Sequence, residues 1–377
     1  MQRIEDILHS LETEERLRKI PGEDVNGLTD LSSNDYLGLG AHYDMYFDEF
    51  RERYPSIPFT SSASRLLASR QKYHNALEKL LQDLYRRPAL LFNSGYHANT
   101  GCISALNLPG TLFICDKLVH ASVIDGLRIG AGNFKRFPHN DIKALLGIIE
   151  KEHSNYERII IVVEGIYSMD GDTAPLAEIA EIKKIYPNVT IYLDEAHSFG
   201  VRGNNGLGLA EEMGLTDMAD IIILTFGKAA ASSGAAAICS HTLKSFFINH
   251  ARSFIFSTAL PPANCAWTML MIEKIIDMDE QRKHLKKIST DLNNHINKFA
   301  PVKSNSQSQI IPFITGDASK AIRLATALQD DAILALPIRR PTVPPGGERI
   351  RLSLNTSITG EGIKLIGNLI KKVWDEI

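Results

Sequence analysis

Between about residues 85 and 240, short continuous apolar runs alternate with stretches in which apolar residues recur every three or four positions. The runs are "ALLFN" from Ala89, "TLFIC" from Thr111, "NFKRF" from Asn133, "RIIIVVE" from Arg158, "TIYLD" from Thr190, "IIILT" from Ile221 and "AAAICS" from Ala235. Runs of that length bounded by turns read as buried strands, and the helical period between them, as in "PLAEIAEIKKIY" from Pro175, reads as helices. Such alternation predicts an α/β unit with a mostly parallel seven-stranded sheet covered by helices. After "STALPPA" at Ser257 the pattern changes. One long helical stretch runs on from Met269, then come strands "SQIIPFIT", "AILALPI" and "RIRLSLN", with helices near "ASKAIRLATALQ" and at the C-terminal end. That reads as a smaller α+β unit. At the other end, Ile4, Ile7, Leu8 and Leu11 fall at helical spacing, predicting an amphipathic helix. The expected organisation is a helix and arm over 1–32, a large domain over 33–260 and an α+β domain over 261–377.

Composition narrows the class. A chain of 377 residues exceeds what one small core organises. With 44% hydrophobic and 23% charged residues it matches ordinary globular proteins, which excludes disorder. A net charge of −3 argues against a general nucleic-acid surface, since phosphate binding needs surplus Lys and Arg. Cys102, Cys115, Cys239 and Cys265 are isolated, with no CxxC pair, so neither a zinc site nor a disulfide framework is expected. No apolar run approaches the roughly 18 residues that cross a bilayer. "MQRIEDILHSLETEERLRKI" carries charges throughout, unlike a secretion signal, and a cytoplasmic protein without membrane or metal is the expectation.

"TIYLDEAHSFG" from Thr190 contains the letters by which one class of nucleic-acid motors is known. A motor also needs GxxxxGK[ST] upstream, where amides and a lysine hold nucleotide phosphates. The Gly227–Lys228 pair lies downstream, is followed by Ala229 and has Ile222 five positions before the glycine. The motor reading fails.

In an open α/β sheet, ligands sit outside the carboxyl ends of the strands. Asp194 ends one apolar run and Lys228 follows another closely. The pair is either a structural ion pair or the two poles of a pyridoxal phosphate site, with a carboxylate at the ring nitrogen and a lysine at the aldehyde. Such a cofactor needs a phosphate site, preferably amides at a helix start. "LLFNSGYHANTGCISAL" supplies a strand, a Ser–Gly turn and a helical run, with Gly95 and Tyr96 at the turn.

With these residues in view, the chain resembles the α-oxoamine synthases. The likeness runs in order through "LSSNDYLGLG", "SRLLASRQKYHNALE", "LLFNSGYHAN", "DKLVHASVIDG", "FPHND", "VVEGIYSMDGDTAPL", "YLDEAHSFGVRGNNGLG", "TFGKAAASSGAA", "FSTALPPA" and "PTVPPGGERIRLSLN". It implies the aspartate-aminotransferase-like fold, pyridoxal 5'-phosphate and a homodimer with shared active sites. It also implies roles. Lys228 corresponds to the Schiff-base lysine, Asp194 to the partner of the ring nitrogen, and His120 to the imidazole stacked on the ring. His197 and Ser168 would attend the phenolic oxygen, while Gly95, Tyr96 and Thr225 hold the phosphate and Thr258 reaches it across the dimer. Arg351 would grip the amino-acid carboxylate, with Asn34 and His74 lining that pocket. Thr342 would contact substrate, and Arg18 would reach the acyl substrate from the N-terminal helix. Within the family, the motifs fit condensation of L-alanine with a pimeloyl thioester, carried on acyl carrier protein or coenzyme A. A glycine C-acetyltransferase is the alternative, a serine-using relative the third, and an inactive scaffold the reading from another class.

Plain alternatives stand beside these roles. His74 also fits a capping or surface histidine, Arg351 an exposed strand arginine and Thr342 an ordinary loop residue. Glu195 should point away from Asp194, since neighbours on a strand face opposite sides. Glu164 is a candidate support behind the site. Two stretches depart from the family: "FTSSA" has Ser62 and Ala63 where glycines are common, and "AAASSGAA" after Lys228 is glycine-poor. Glycine there would permit dihedrals other residues resist.

Overall fold

The computed structural model describes residues 2–18, 20, 27–69 and 71–377. Most of the arm "PGEDVN" expected after the first helix lies outside them. The chain divides into two compact units, one comprising Leu37–Tyr167 and Thr173–Arg282, the other Met1–Tyr36, Ser168–Asp172 and Lys283–Ile377. The sequence pattern changes near residues 32 and 260; the units change at 36/37 and 282/283, and the smaller also takes in Ser168–Asp172.

The larger unit is built on β1 (Ala89–Phe92), β2 (Thr111–Asp116), β3 (Asn133–Phe137), β4 (Arg158–Glu164), β5 (Val189–Asp194), β6 (Ile221–Thr225) and β7 (Ala235–Ile238). These are the seven apolar runs. Their order across the sheet is β1-β7-β6-β5-β4-β2-β3. β7 runs antiparallel to both neighbours and every other pairing is parallel. The central β4, "RIIIVVE", is buried at every position after Arg158. A parallel strand covered on both faces reads as a continuous apolar run, which is why these segments show no alternation. β3 forms one edge and is largely exposed.

Parallel register puts the acidic strand ends side by side. Glu164 pairs with Asp194, and Asp194 with Ile223. Thr225, closing β6, lies opposite Ala235 of β7, which in turn faces Phe92 at the end of β1. One edge of the sheet therefore carries Phe92, Glu164, Asp194 and Thr225, and the loops leaving it hold Ser94–Gly95, Glu195–His197 and Gly227–Lys228.

In the smaller unit, Arg349–Ser353 is the centre of a three-stranded antiparallel sheet, between Pro337–Ile338 and Ile310–Ile314. Helices Ala318–Asp330 and Gly360–Glu376 start at Asp317 and Thr359, whose side chains accept the Lys320 and Gly362 amides. The "AILALPI" run is not one strand but two two-residue strands, Ile333–Leu334 and Pro337–Ile338. The long helical stretch is likewise two helices, Pro262–Ile276 and Asp279–Ile296. Arg282 donates to the carbonyls of Ile275 and Ile276, capping the first of them. The N-terminal helix spans Gln2–Thr13; none of its residues is buried, and Ile4 and Ile7 are each 54% exposed.

Candidate active site

In the larger unit, Gly95, Tyr96, His120, Asp194, His197, Thr225 and Lys228 lie at or just beyond the ends of β1, β2, β5 and β6. Asp194 is buried at 5% exposure, and both its oxygens accept amide hydrogens. Asn99 Nδ2 lies 2.7 Å from Oδ2, and the Ala196 backbone amide 2.9 Å from Oδ1. Lys228 Nζ sits 2.7 Å from His197 Nε2, three residues beyond Asp194. His120 caps the helix Ala121–Gly130, with Ser122 Oγ 2.8 Å from its Nδ1. Glu164 Oε1 accepts the His120 amide at 2.5 Å. Desolvation by the surrounding protein pushes the His120 imidazole below its ordinary pKa. Asp194 and Asp125 pull it back up, and the Lys228 charge adds to the depression. Asp194 and Lys228 thus both lie within electrostatic reach of one imidazole, whose side chain is otherwise open to solvent.

At the end of β1, Ser94 caps the helix Gly95–Leu106, its Oγ accepting from the His97 amide at 3.2 Å. The first amides of a helix lack partners within it, so those of Gly95 and Tyr96 face outward from the helix start. Thr225 Oγ1 is buried without a hydrogen-bond partner among the described residues. A Cβ on Gly95 would come within 2.4 Å of that hydroxyl. A helix start, an orphaned hydroxyl and a glycine whose missing Cβ keeps the space open form a cradle suited to a phosphate. With an open imidazole face, a lysine amine and a buried carboxylate around it, these residues fit pyridoxal 5'-phosphate. Gly95→Ala should weaken the cofactor's affinity about tenfold, on the order of one lost hydrogen bond to a charged group, and the added Cβ, within 2.4 Å of the Thr225 hydroxyl, should also lower the unfolding midpoint. Cofactor titration by absorbance or fluorescence reads the change, and an unchanged affinity removes Gly95 from the cradle.

Thr258 and His74 occupy another part of this unit, lining a cavity of about 20 Å³ with Arg65, Asn93 and Ser257. Thr258 is exposed and pairs with Ser64 in an isolated bridge. His74 is 1% exposed, with Nε2 2.8 Å from the Leu260 carbonyl, so it is neither a cap nor a surface residue. Burial lowers its pKa, the Leu260 contact raises it, and Arg65 adds a small depression. The folded chain therefore resists protonating His74 more than the unfolded chain does. The stability this group contributes is present above the ordinary histidine value of about 6.5 and is lost as pH falls below it. In chemical denaturation, wild type should lose stability on acidification more steeply than His74→Gln, and parallel slopes would contradict the burial effect.

In the smaller unit, Arg351 is 8% exposed, not an exposed strand arginine. Its guanidinium donates to the Ser168 carbonyl at 2.6 Å, Ser353 Oγ at 2.6 Å and Asn34 Oδ1 at 3.0 Å. Arg349, on the same strand face, pairs with Asp170 at 2.8 Å. Three expected residues, Asn34, Ser168 and Arg351, therefore share one hydrogen-bonded cluster, with Tyr36 at its edge. Arg18 and Thr342 also meet, Nη2 to Oγ1 at 2.8 Å. Ser62 and Ala231, in the two glycine-poor stretches, have φ of 51° and 44°. Both adopt left-handed backbone without being glycine, at a cost of about 1–2 kcal/mol each.

Glu195 is fully buried on the far side of Asp194, accepting from the Leu209 and Ala210 amides at 3.0 and 2.8 Å and from the Ser198 hydroxyl. Burial raises its pKa. Sequence reasoning missed Asn99, Ser122 and Tyr192. Tyr192 donates to Asn99 Oδ1 at 2.8 Å, and Asn99 in turn to Ser122 Oγ at 2.9 Å. The available signal was Asn99 in the "GYHANTGCISAL" helix, one turn beyond Gly95 and buried at 2% exposure. Among the described residues there is no group of three or more side chains able to hold a metal ion, and no helix long and apolar enough to cross a membrane.

Residues 26–365 match the family model for aminotransferase class I and II. A Pasteurella multocida protein assigned as an 8-amino-7-oxononanoate synthase is 44% identical over 91% of this chain and 89% of its own length. Among solved structures, the serine palmitoyltransferase of S. paucimobilis with bound PLP–myriocin superposes with a TM-score of 0.84 at 28% identity, covering 93% of this chain and 88% of that one. The 8-amino-7-oxononanoate synthase of Francisella tularensis superposes with a TM-score of 0.76 at 25% identity, covering 93% of this chain and 99% of that one.

Proposed function

Since the chain belongs to the class I and II aminotransferase family, and within it to the pyridoxal-phosphate-dependent acyltransferases called α-oxoamine synthases, we propose that it condenses L-alanine with a pimeloyl thioester. The products are 8-amino-7-oxononanoate, CO₂ and the free thiol of the acyl carrier, a carrier protein or coenzyme A. The observation carrying the chemistry is the constellation beyond β5 and β6: buried Asp194, the Lys228–His197 contact, His120, and the Gly95–Thr225 cradle. The choice of alanine and pimeloyl rests on the relatives named above and on the motifs around Lys228 and Arg351.

In this reading Arg351 holds the amino acid's carboxylate, for which its fork of donors is suited. Ser168, Ser353 and Asn34 fix the guanidinium's rotamer, so little entropy remains to be lost on binding. Lys228 Nζ, as the neutral amine, takes the Cα proton of alanine and later returns a proton to the product carbon. His197 is placed to exchange hydrogen bonds with that amine. When bound, the cofactor draws off the electron pair left at Cα, and Asp194 supports this by keeping the ring nitrogen protonated. The new C–C bond forms between alanine Cα and the thioester carbonyl carbon, the thiolate leaves, and the alanine carboxylate departs as CO₂. Arg18 and Thr342 attend the acyl chain. Thr258 serves a partner subunit in a homodimer; Phe256, two residues away, is 71% exposed, as a residue of a subunit contact would be in a lone chain.

A panel of L-alanine, glycine and L-serine against pimeloyl, acetyl and palmitoyl thioesters tests this, with CO₂ and free thiol measured together. Turnover should be fastest with alanine and pimeloyl. A response confined to glycine and acetyl would make the chain a glycine C-acetyltransferase. One confined to serine and palmitoyl would join it to the serine palmitoyltransferases. A protein that stays colourless and inactive after cofactor addition would be a scaffold.

A further inference from the structure

The buried polar atoms beside Asp194 form a series whose hydrogens run in one direction. A carboxylate accepts only, so the Asn99 atom 2.7 Å from Asp194 Oδ2 must be the amide nitrogen. That fixes the amide's orientation and makes its oxygen the acceptor for the Tyr192 hydroxyl. The second hydrogen of Asn99 Nδ2 goes to Ser122 Oγ at 2.9 Å. With its oxygen receiving from Asn99, Ser122 directs its own hydrogen at His120 Nδ1, 2.8 Å away. The Ser122 backbone amide approaches the same nitrogen at 3.3 Å. A ring nitrogen facing two donors bears no proton, so the neutral imidazole carries its hydrogen on Nε2. Asn99, Ser122 and Tyr192 are at most 2% exposed, which keeps competing water from the series.

We propose that Asn99 and Ser122 are positioning residues that lock His120 as the neutral, Nε2-protonated tautomer. One side chain, Asn99, thereby sets both the Asp194 carboxylate and, through Ser122, the imidazole. Tyr192 completes the set by occupying the amide oxygen, and Glu164 holds the His120 backbone from the neighbouring strand end. The charged groups in reach of the ring are Asp194, Asp125 and Lys228. A protonated imidazole would place a second cation beside the amine that must exchange the substrate proton; a neutral ring leaves that exchange to Lys228 alone. The catalytic purpose rests on the function proposed above, but the tautomer does not, so the two fail separately.

The test is a long-range proton–nitrogen correlation spectrum of the full chain labelled with ¹⁵N-histidine, with cofactor bound and again after its removal. His120→Asn identifies the signals. At neutral pH, wild type should show a pyrrole-like Nε2 and a pyridine-like Nδ1, in a tautomer ratio of about tenfold or more. Ser122→Ala and Asn99→Ala should each lower the ratio several-fold, while Ser122→Thr, which keeps the hydroxyl, restores it. A pyrrole-like Nδ1 in wild type, whether from the other tautomer or from imidazolium, overturns the proposal. So does a Ser122→Ala protein with the wild-type ratio. If the alanine variants do not fold, the wild-type spectrum still decides.

Discussion

Lys228→Ala should fold normally and lose turnover by about 10⁴-fold, the upper end of the range for a removed general acid–base group, to which loss of the covalent link assigned to it under the proposed function would add. The turn beyond β6 is held by backbone bonds, Ala231 N to Lys228 O and Ser232 N to Phe226 O, which the substitution keeps. Removing the amine costs His197 one partner. Steady-state rates with alanine and the acyl thioester, taken with a thermal melt, separate chemistry from stability. Borohydride adds a second readout, since wild type should retain its cofactor covalently after reduction and the variant should not. Turnover within tenfold of wild type would transfer the proton-exchanging role elsewhere, with His197 as the next candidate.

Asp194→Ala should cost activity about 10³-fold, comparable to removing one preorganised electrostatic group from an active site, and should also destabilise the fold. Two effects separate here. In the proposed function, loss of the carboxylate removes the group that keeps the ring nitrogen protonated. It also strands Asn99 Nδ2 and the Ala196 amide, both donors to it, in a buried setting. Each stranded donor costs about 1–3 kcal/mol. The variant is therefore expected to melt several degrees lower and, at saturating cofactor, to remain slow at temperatures where it is fully folded. A variant that is only less stable, with wild-type turnover when folded, would reduce Asp194 to a structural acid.

What was legible in the sequence follows from burial. β4 and β6 show as apolar runs because helices cover both faces, and the sheet's edge is where a polar residue first appears, so Glu164, Asp194 and Thr225 announce themselves. The Asn99–Ser122 contact joins residues 23 positions apart on two different helices. No periodicity marks such a pairing, because it depends on how the helices pack above the sheet. Ser168–Asp172 sits inside a stretch that reads as one domain, yet it is tied to the smaller unit by Arg351 on Ser168 and by the Gln307 amide on Gly171. Those are long-range hydrogen bonds that composition does not encode. Asp277 and Met278 break a helical pattern whose apolar period continues across them. Ser62 and Ala231 teach the converse. Both stretches stood out in the sequence as glycine-poor, yet Ser62 and Ala231 adopt left-handed backbone all the same.

The burial of Glu195 bears on how variants of this protein are made. Its carboxylate draws Ser198, Leu209 and Ala210 onto the strand end next to Asp194, and the Cβ atoms that Gly165 and Gly208 lack would lie within 2.4 and 2.7 Å of it. A randomised library spanning residues 199–207 can change that loop's surface as long as this knot stays tied. Libraries that include Glu195, Gly165 or Gly208 will instead be filled with misfolded clones, and a selection for new acyl donors run on them would report folding, not preference.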